Sequence, residues 1–154
     1  MTVVGKAVKV ACAAVLACSG SWCSDDTSQA PLDYVRLLSL VPADRTTVHR
    51  GADVVVSAAV ECHTRDWGQV VMEIGQCIPD PAIPGQLQEC MAIPGGPHLA
   101  AGELPGRWQL SHVTLTKTFR VPEGIPGPIR VRISWTYVGG GAGGFDAARY
   151  PIVD

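Results

Sequence analysis

Six cysteines, four histidines and one run of glycines are the residues of this chain whose types and spacing could carry chemistry. The run Gly139-Gly140-Gly141-Ala142-Gly143-Gly144 contains the spacing Gly-x-Gly-x-x-Gly. A dinucleotide site needs a helix directly after such a loop, because the helix N-terminus holds the pyrophosphate. Here Phe145 to Tyr150 runs into Pro151, which prevents a long helix, and no Gly-Lys-Ser/Thr follows for a P-loop. The run reads as a flexible hairpin connection.

The histidines are His49, His63, His98 and His112, and none belongs to a His-Glu-x-x-His motif. His112 falls on the outward row of a strand and the other three in loops, so each is expected at the solvated surface. The most chemistry they offer is His98 with a carboxylate such as Glu103. Ser111 and His112 are neighbours and so diverge on a strand, and no Gly-x-Ser-x-Gly elbow exists. Glu73, Asp80, Glu89 and Glu103 could meet in space as paired carboxylates, but nothing marks them, and solvated charges account for them better. No catalytic residue is assigned.

Among the cysteines, Cys12 and Cys18 lie in the apolar N-terminal region. That leaves Cys23, Cys62, Cys77 and Cys90, enough for two disulfides in three possible connectivities. Cys77–Cys90 closes a short loop, worth ~3 kcal/mol on chain-entropy grounds. Cys23–Cys62 is within reach if the strand ending at Cys62 pairs with one starting near Leu32. Cys62–Cys77 fits least, because a hairpin puts the two at opposite ends. A metal site is disfavoured: there is no Cys-x-x-Cys, and Cys62 and His63, adjacent on a strand, face opposite ways.

Arg130, Arg132 and Arg120 form a small outward basic row, read as a solubilising face. Trp135 and Tyr137 share an inward row. Trp67, in a tight polar turn, and Trp108, at a strand start, could be exposed and so could stack on a sugar ring; Tyr150 could be exposed as well.

These side chains are carried by strands. Tyr34–Val41 is a first strand, ended by Pro42. In Asp53–Cys62, Val54, Val56, Ala58 and Val60 share one face, while Asp53, Ser57 and Glu61 point away. His63–Gly68 is a polar turn, and Gln69–Cys77 follows. The segment 78–106 holds six of the twelve prolines and reads as a long excursion with room for one strand over Gln86–Ile93. A strand from Trp108 puts Val113, Leu115, Phe119 and Val121 on one face. Lys117 interrupts that inward row, which predicts an edge strand. Ile129–Val138 alternates most clearly, and Ala148–Val153 is a last strand. No helical period appears beyond the N-terminal region.

The expected fold class is all-β, an antiparallel sandwich of about seven short strands. The strand order, with an inward Trp135 late in the chain, resembles immunoglobulin-like and fibronectin-like domains over residues 32–154. That resemblance implies a fold and no functional residue.

The length of 154 residues suits one domain. With 47% apolar and 17% charged residues, the chain is neither disordered nor a charged coiled coil. A formal net charge of −2 offers no basic field for nucleic acid. No apolar run reaches the ~18 residues of a membrane span. There is no Asn, hence no N-glycosylation acceptor.

Lys6 and Lys9 precede the apolar stretch from Val10 to Ala17, the layout of a secretory signal. The junction Val15-Leu16-Ala17-Cys18 resembles the bacterial lipobox, with Leu16 less usual at its position. That resemblance implies cleavage before Cys18 and a lipid on its thiol. The expected organisation is a signal peptide over 1–17, a polar tether over 18–31 and a β-sandwich over 32–154.

Together these readings predict an exported, cell-envelope-anchored lipoprotein, or alternatively a secreted soluble protein. It is expected to be no enzyme and to hold no cofactor and no metal. Its role would be binding or structural, the partner a cell-surface protein or polysaccharide whose identity stays open. Nucleic acid is not expected, and membrane contact only through the lipid. The excursion 78–106 and the 139–144 loop are the favoured recognition surface. The first alternative is a carbohydrate-binding module using Trp67 and Trp108; the next is a small metal-handling protein or hydrolase.

Overall fold

The computed structural model describes residues 32–94, 98–124 and 127–154. Cys18 and Cys23, with the signal and tether expected over 1–31, lie outside the described residues.

The fold is an all-β antiparallel sandwich. The strands are β1 (Tyr34–Val41), β2 (Val48–His49), β3 (Asp53–Thr64), β4 (Gly68–Pro79) and β5 (Leu87–Ala92), followed by β6 (His98–Leu104), β7 (Gln109–Arg120), β8 (Ile129–Tyr137), β9 (Ala142–Tyr150) and β10 (Ile152–Val153). One sheet has the order β1-β3-β7. In the other, β4 is central: β8 and then β9 lie on one side, β5 and β6 on the other. The two-residue strands β2 and β10 pair in parallel.

The alternation in the sequence sets which faces meet. Val56, Ala58 and Val60 of β3 are fully buried, as are Val70 and Met72 of β4 and Ile129, Val131 and Ile133 of β8. Each such aliphatic side chain contributes ~1.5–3 kcal/mol on leaving water. Two bulges keep the rows facing inward. In β1 the register with β3 slips between Leu37 and Ser39, so that Val35, Leu37 and Leu40 all face the core. In β9 it slips between the partners of Val131 and Arg132, at Ala147. Without that extra residue Ala148 and Tyr150 would point to solvent, since a one-residue slip flips every side chain.

The strand beginning after Trp108 lies at a sheet edge, with Lys117 on its inward row, as the interrupted pattern predicts. Other expectations change. Three of the strands run to 12 residues, and the described residues form ten strands rather than about seven. The excursion 78–106 is mostly sheet, because β6 pairs with β4 from Gly68↔Leu104 to Ile74↔His98. Its residues, Leu99-Ala100-Ala101-Gly102, carry little β-propensity, yet their smallness is what the packing needs: a Cβ on Gly102 would lie 2.3 Å from Val113 Cγ1 of β7. The glycine run is likewise half strand. The turn occupies 138–141, and Gly143 sits opposite Trp135 in β9. A Cβ there would fall 2.4 Å from the indole, so the glycine makes room for the ring.

Candidate functional site

The two sheets present outer faces of opposite character. On β1-β3-β7, register places Arg36 beside Glu61 and Glu61 beside His112. Glu61 points away from the core, as its position in the alternation predicts, yet its side chain is only 9% exposed. Its neighbours cover it. The Tyr34 hydroxyl donates to Oε1 at 3.0 Å, Arg36 Nη2 lies 2.7 Å from the same oxygen, and His112 Nε2 lies 3.1 Å from Oε2. Burial pushes the Glu61 carboxyl up, but the hydrogen bonds from Tyr34 and His112 and the Arg36 charge outweigh it and hold the group below its usual range. The Tyr34 phenol is raised, first by that hydrogen bond and then by burial.

Beside this hub stands a row of rings. Tyr34 stacks on His63 at 5.5 Å, and His63 meets Trp108 at 5.6 Å. Arg36 lies over the Tyr34 ring at 5.6 Å. The rings are thus engaged with one another. Trp108 is half-buried and meets His63 at a tilt of 41°, which makes it a less open platform than an exposed tryptophan. His63 belongs to β3 rather than to a loop, and its Nδ1 lies 3.3 Å from the Leu32 carbonyl.

The opposite face, on β6-β4-β8, is arranged differently. Trp67 sits in the turn between β3 and β4 and is 54% exposed. It borders a groove of about 420 Å³ lined also by Gln69, Glu103, Thr136, Tyr137 and Val138. Register explains the grouping: Gln69 of β4 lies opposite Glu103 of β6 on one side and Thr136 of β8 on the other. The three make an outward row across adjacent strands, about 4.8 Å apart. Among the described residues, the side chains of Trp67, Gln69, Glu103 and Thr136 make no hydrogen bond, ion pair or ring contact.

The Trp67 turn is pinned through its backbone. The Val138 amide donates to the Trp67 carbonyl at 2.9 Å, Arg107 to Arg65 at 2.7 Å and Trp108 to Thr64 at 2.9 Å. The Arg65 amide donates to Asp33 Oδ1 at 2.6 Å. Two glycines permit this closeness. Gly68 has no room for a Cβ, which would fall inside the Thr136 carbonyl contact at 2.1 Å. Gly106 has φ +67°, and a Cβ would lie 2.6 Å from the Trp67 amide nitrogen. The turns carrying Trp67 and Trp108 therefore clasp at one end of the sandwich, while their rings serve opposite faces. Tyr137, on the inward row of β8 and packed against the core, also borders the groove; burial and then the Asp33 carboxylate, with Asp66, raise its phenol.

The cysteines divide. Cys77 and Cys90 face each other across β4 and β5 and form a disulfide. Cys62 is a fully buried free thiol, pushed up to about 11 by burial and then by Glu61. The expected partner of Cys62, Cys23, lies outside the described residues. The inward alternation that buries Val60 buries Cys62 as well.

Other candidates separate in space. His98 faces inward against Phe119, with a buried Nε2, whereas Glu103, five residues on, faces outward, so the two do not pair. His49 lies in β2 rather than in a loop, its Nδ1 3.2 Å from the Asp154 carbonyl oxygen. Asp80 accepts from the Ala82 amide at 2.8 Å, and Glu73 lies opposite Leu99, four residues along β4 from Gln69. The side chain of Glu89 is outside the described residues. The basic row is broken: Arg120 belongs to the other sheet and lies 3.6 Å from Asp53, while Arg130 lies 4.0 Å from Asp146. Tyr150, which the sequence left open to exposure, is fully buried and donates to the Pro42 carbonyl at 2.7 Å; burial and then Asp44 push its phenol up to about 12. Among the described residues, no cluster of three or more His, Cys, Asp or Glu could hold a metal ion.

No family model matches the chain, and no curated protein matches it. Several solved structures are similar in part, among them the following two. One is the crystal structure of Spo0M, a sporulation control protein from Bacillus subtilis, with 11% identity, a TM-score of 0.44, and coverage of 79% of this chain and 49% of that one. The other is a DUF4466 family protein from Parabacteroides merdae, with 11% identity, a TM-score of 0.34, and coverage of 77% and 44%. The chain spans about half the length of either.

Proposed function

We propose that this chain is an exported, non-catalytic binding domain held at the cell envelope through a lipid on Cys18. The observation that carries the binding role is the Trp67 turn. An indole more than half exposed is fixed by backbone hydrogen bonds beside a row of unengaged polar side chains. A turn needed only to join two strands gains nothing from an exposed tryptophan. A rigid, preorganised one loses little entropy when a partner covers it. Glu103 belongs to the 78–106 segment, so part of the surface favoured on sequence grounds lines this site.

The address rests on Lys6, Lys9, the apolar stretch and the lipobox-like junction. The Cys77–Cys90 disulfide supports an oxidising compartment. The partner is a cell-surface protein or polysaccharide. Mass spectrometry of the mature N-terminus tests the address: a diacylglyceryl-modified Cys18 is expected, and an unmodified terminus at Ser19 or later contradicts anchoring. A photo-crosslinker at position 67, used on intact cells, tests the role. Capture of a discrete partner is expected, and capture equal to that from an exposed position on the other face, such as Thr114, contradicts it.

A further inference from the structure

Resting on that reading, we propose that the groove between Trp67 and the Glu103–Gln69–Thr136 row is a binding site for a neutral hexopyranose segment of a polysaccharide. The residue types match the chemistry of a sugar ring. A pyranose has a C–H face, which packs on an indole, and a rim of hydroxyls that both donate and accept. Around one open tryptophan the groove offers an amide that does both (Gln69), a hydroxyl that does both (Thr136) and a carboxylate that only accepts (Glu103). Cross-strand register spreads these three over about 10 Å, two strand spacings, which is the reach needed to contact hydroxyls at both edges of a ring. The volume of about 420 Å³ suits one or two rings of a chain whose remainder runs on into solvent.

Charge selects among sugars. Besides the Tyr137 phenol, the one ionisable side chain lining the groove is the carboxylate of Glu103. Arg65 and Arg107 belong to the clasped turns but do not line the groove. An acidic polymer would meet like charge there with no cation to pair it, so uronic-acid chains are disfavoured. A peptide would also find stacking, but β4 and β8, which carry Gln69 and Thr136, are paired on both sides, so strand addition is left only to the outer edge of β6, on the side away from those two residues.

The test is affinity electrophoresis of the full chain through native gels containing laminarin, mannan or dextran, with polygalacturonate as the acidic counterpart. Retardation by at least one neutral polymer is expected, with none by polygalacturonate. Trp67→Ala should weaken retention by about tenfold or more. Trp67→Phe should keep part of it, and Trp108→Ala should leave it unchanged. If Trp67→Ala lowers the melting temperature appreciably, the double variant Gln69→Ala/Glu103→Ala, exposed on the sheet, serves in its place. Absence of retardation in all three neutral gels overturns the sugar assignment, as does retention indifferent to Trp67, or Trp67-dependent retention by polygalacturonate alone. Capture of a surface protein by the crosslinker at position 67, with no retention in neutral gels, would sink the sugar assignment and leave the binding role standing. Failure of both experiments overturns both.

Discussion

The outer face of β1-β3-β7 and that of β6-β4-β8 hold similar inventories, each with a tryptophan, a glutamate and hydrogen-bonding partners, yet they use them in opposite ways. On the first face Glu61 is closed in by Tyr34, Arg36 and His112, and Trp108 meets His63 at a tilt. On the second, Glu103 and Trp67 touch nothing comparable. The difference teaches that residue type alone does not make a site. A carboxylate whose lone pairs are already filled stabilises the sheet, and only one left to solvent can answer a ligand.

That contrast can be broken from its structural side first. Gly68→Ala should cost about 3 kcal/mol of unfolding free energy in urea, because the new methyl collides with the Thr136 carbonyl where β4 meets β8. A loss within experimental error would show that the strands can part there at no cost.

A smaller loss, about 1–2 kcal/mol, is expected for Gly106→Ala, from its positive φ and from crowding of the Trp67 amide. Its value lies in the second readout. Because the clasped turns hold Trp67, retention of polysaccharide should fall in this variant while the fold persists. Unchanged retention would mean that the turn's rigidity is irrelevant to binding.

Glu61→Gln changes a slope rather than a height. The folded carboxyl titrates below its ordinary value of 4.5, so its stabilisation is present above that value and is lost as pH falls through the lowered folded value. The wild type should therefore lose stability on acidification below about pH 5, and the variant should lose less over the same window. Polysaccharide retention should be unaffected. A steeper acid limb in the variant would contradict the hub.

How far all this was legible in the sequence depends on what each feature rests on. Period-2 alternation marked β3, β4, β7 and β8 and their inward rows, because one-sided burial writes itself into the residue order, whereas β1 was legible as a strand but its bulge hides its inward row. Lys117 marked the edge for the same reason. β6 was hidden because its small residues are dictated by Val113 and Leu115 across the sandwich, a constraint from another part of the chain. Tyr150 looked exposable because its burial depends on a bulge at Ala147, which alternation does not announce. Trp67 was legible as an exposed loop aromatic, but its companions Gln69, Glu103 and Thr136 were not, since register alone brings them together. The Glu61 hub was missed for that reason too: once β1 and β7 are aligned on β3 it can be read, and before that Glu61 is one more outward charge.

The central claim is that the Trp67 face binds and the Glu61 face holds the fold. The most direct test compares Trp67→Ala with Trp108→Ala in one native gel series containing laminarin, mannan or dextran, with melting temperatures measured alongside. Trp67→Ala should lose about tenfold or more in retention with little change in melting, while Trp108→Ala should keep wild-type retention and melt earlier. Retention lost in Trp108→Ala and kept in Trp67→Ala would contradict the claim.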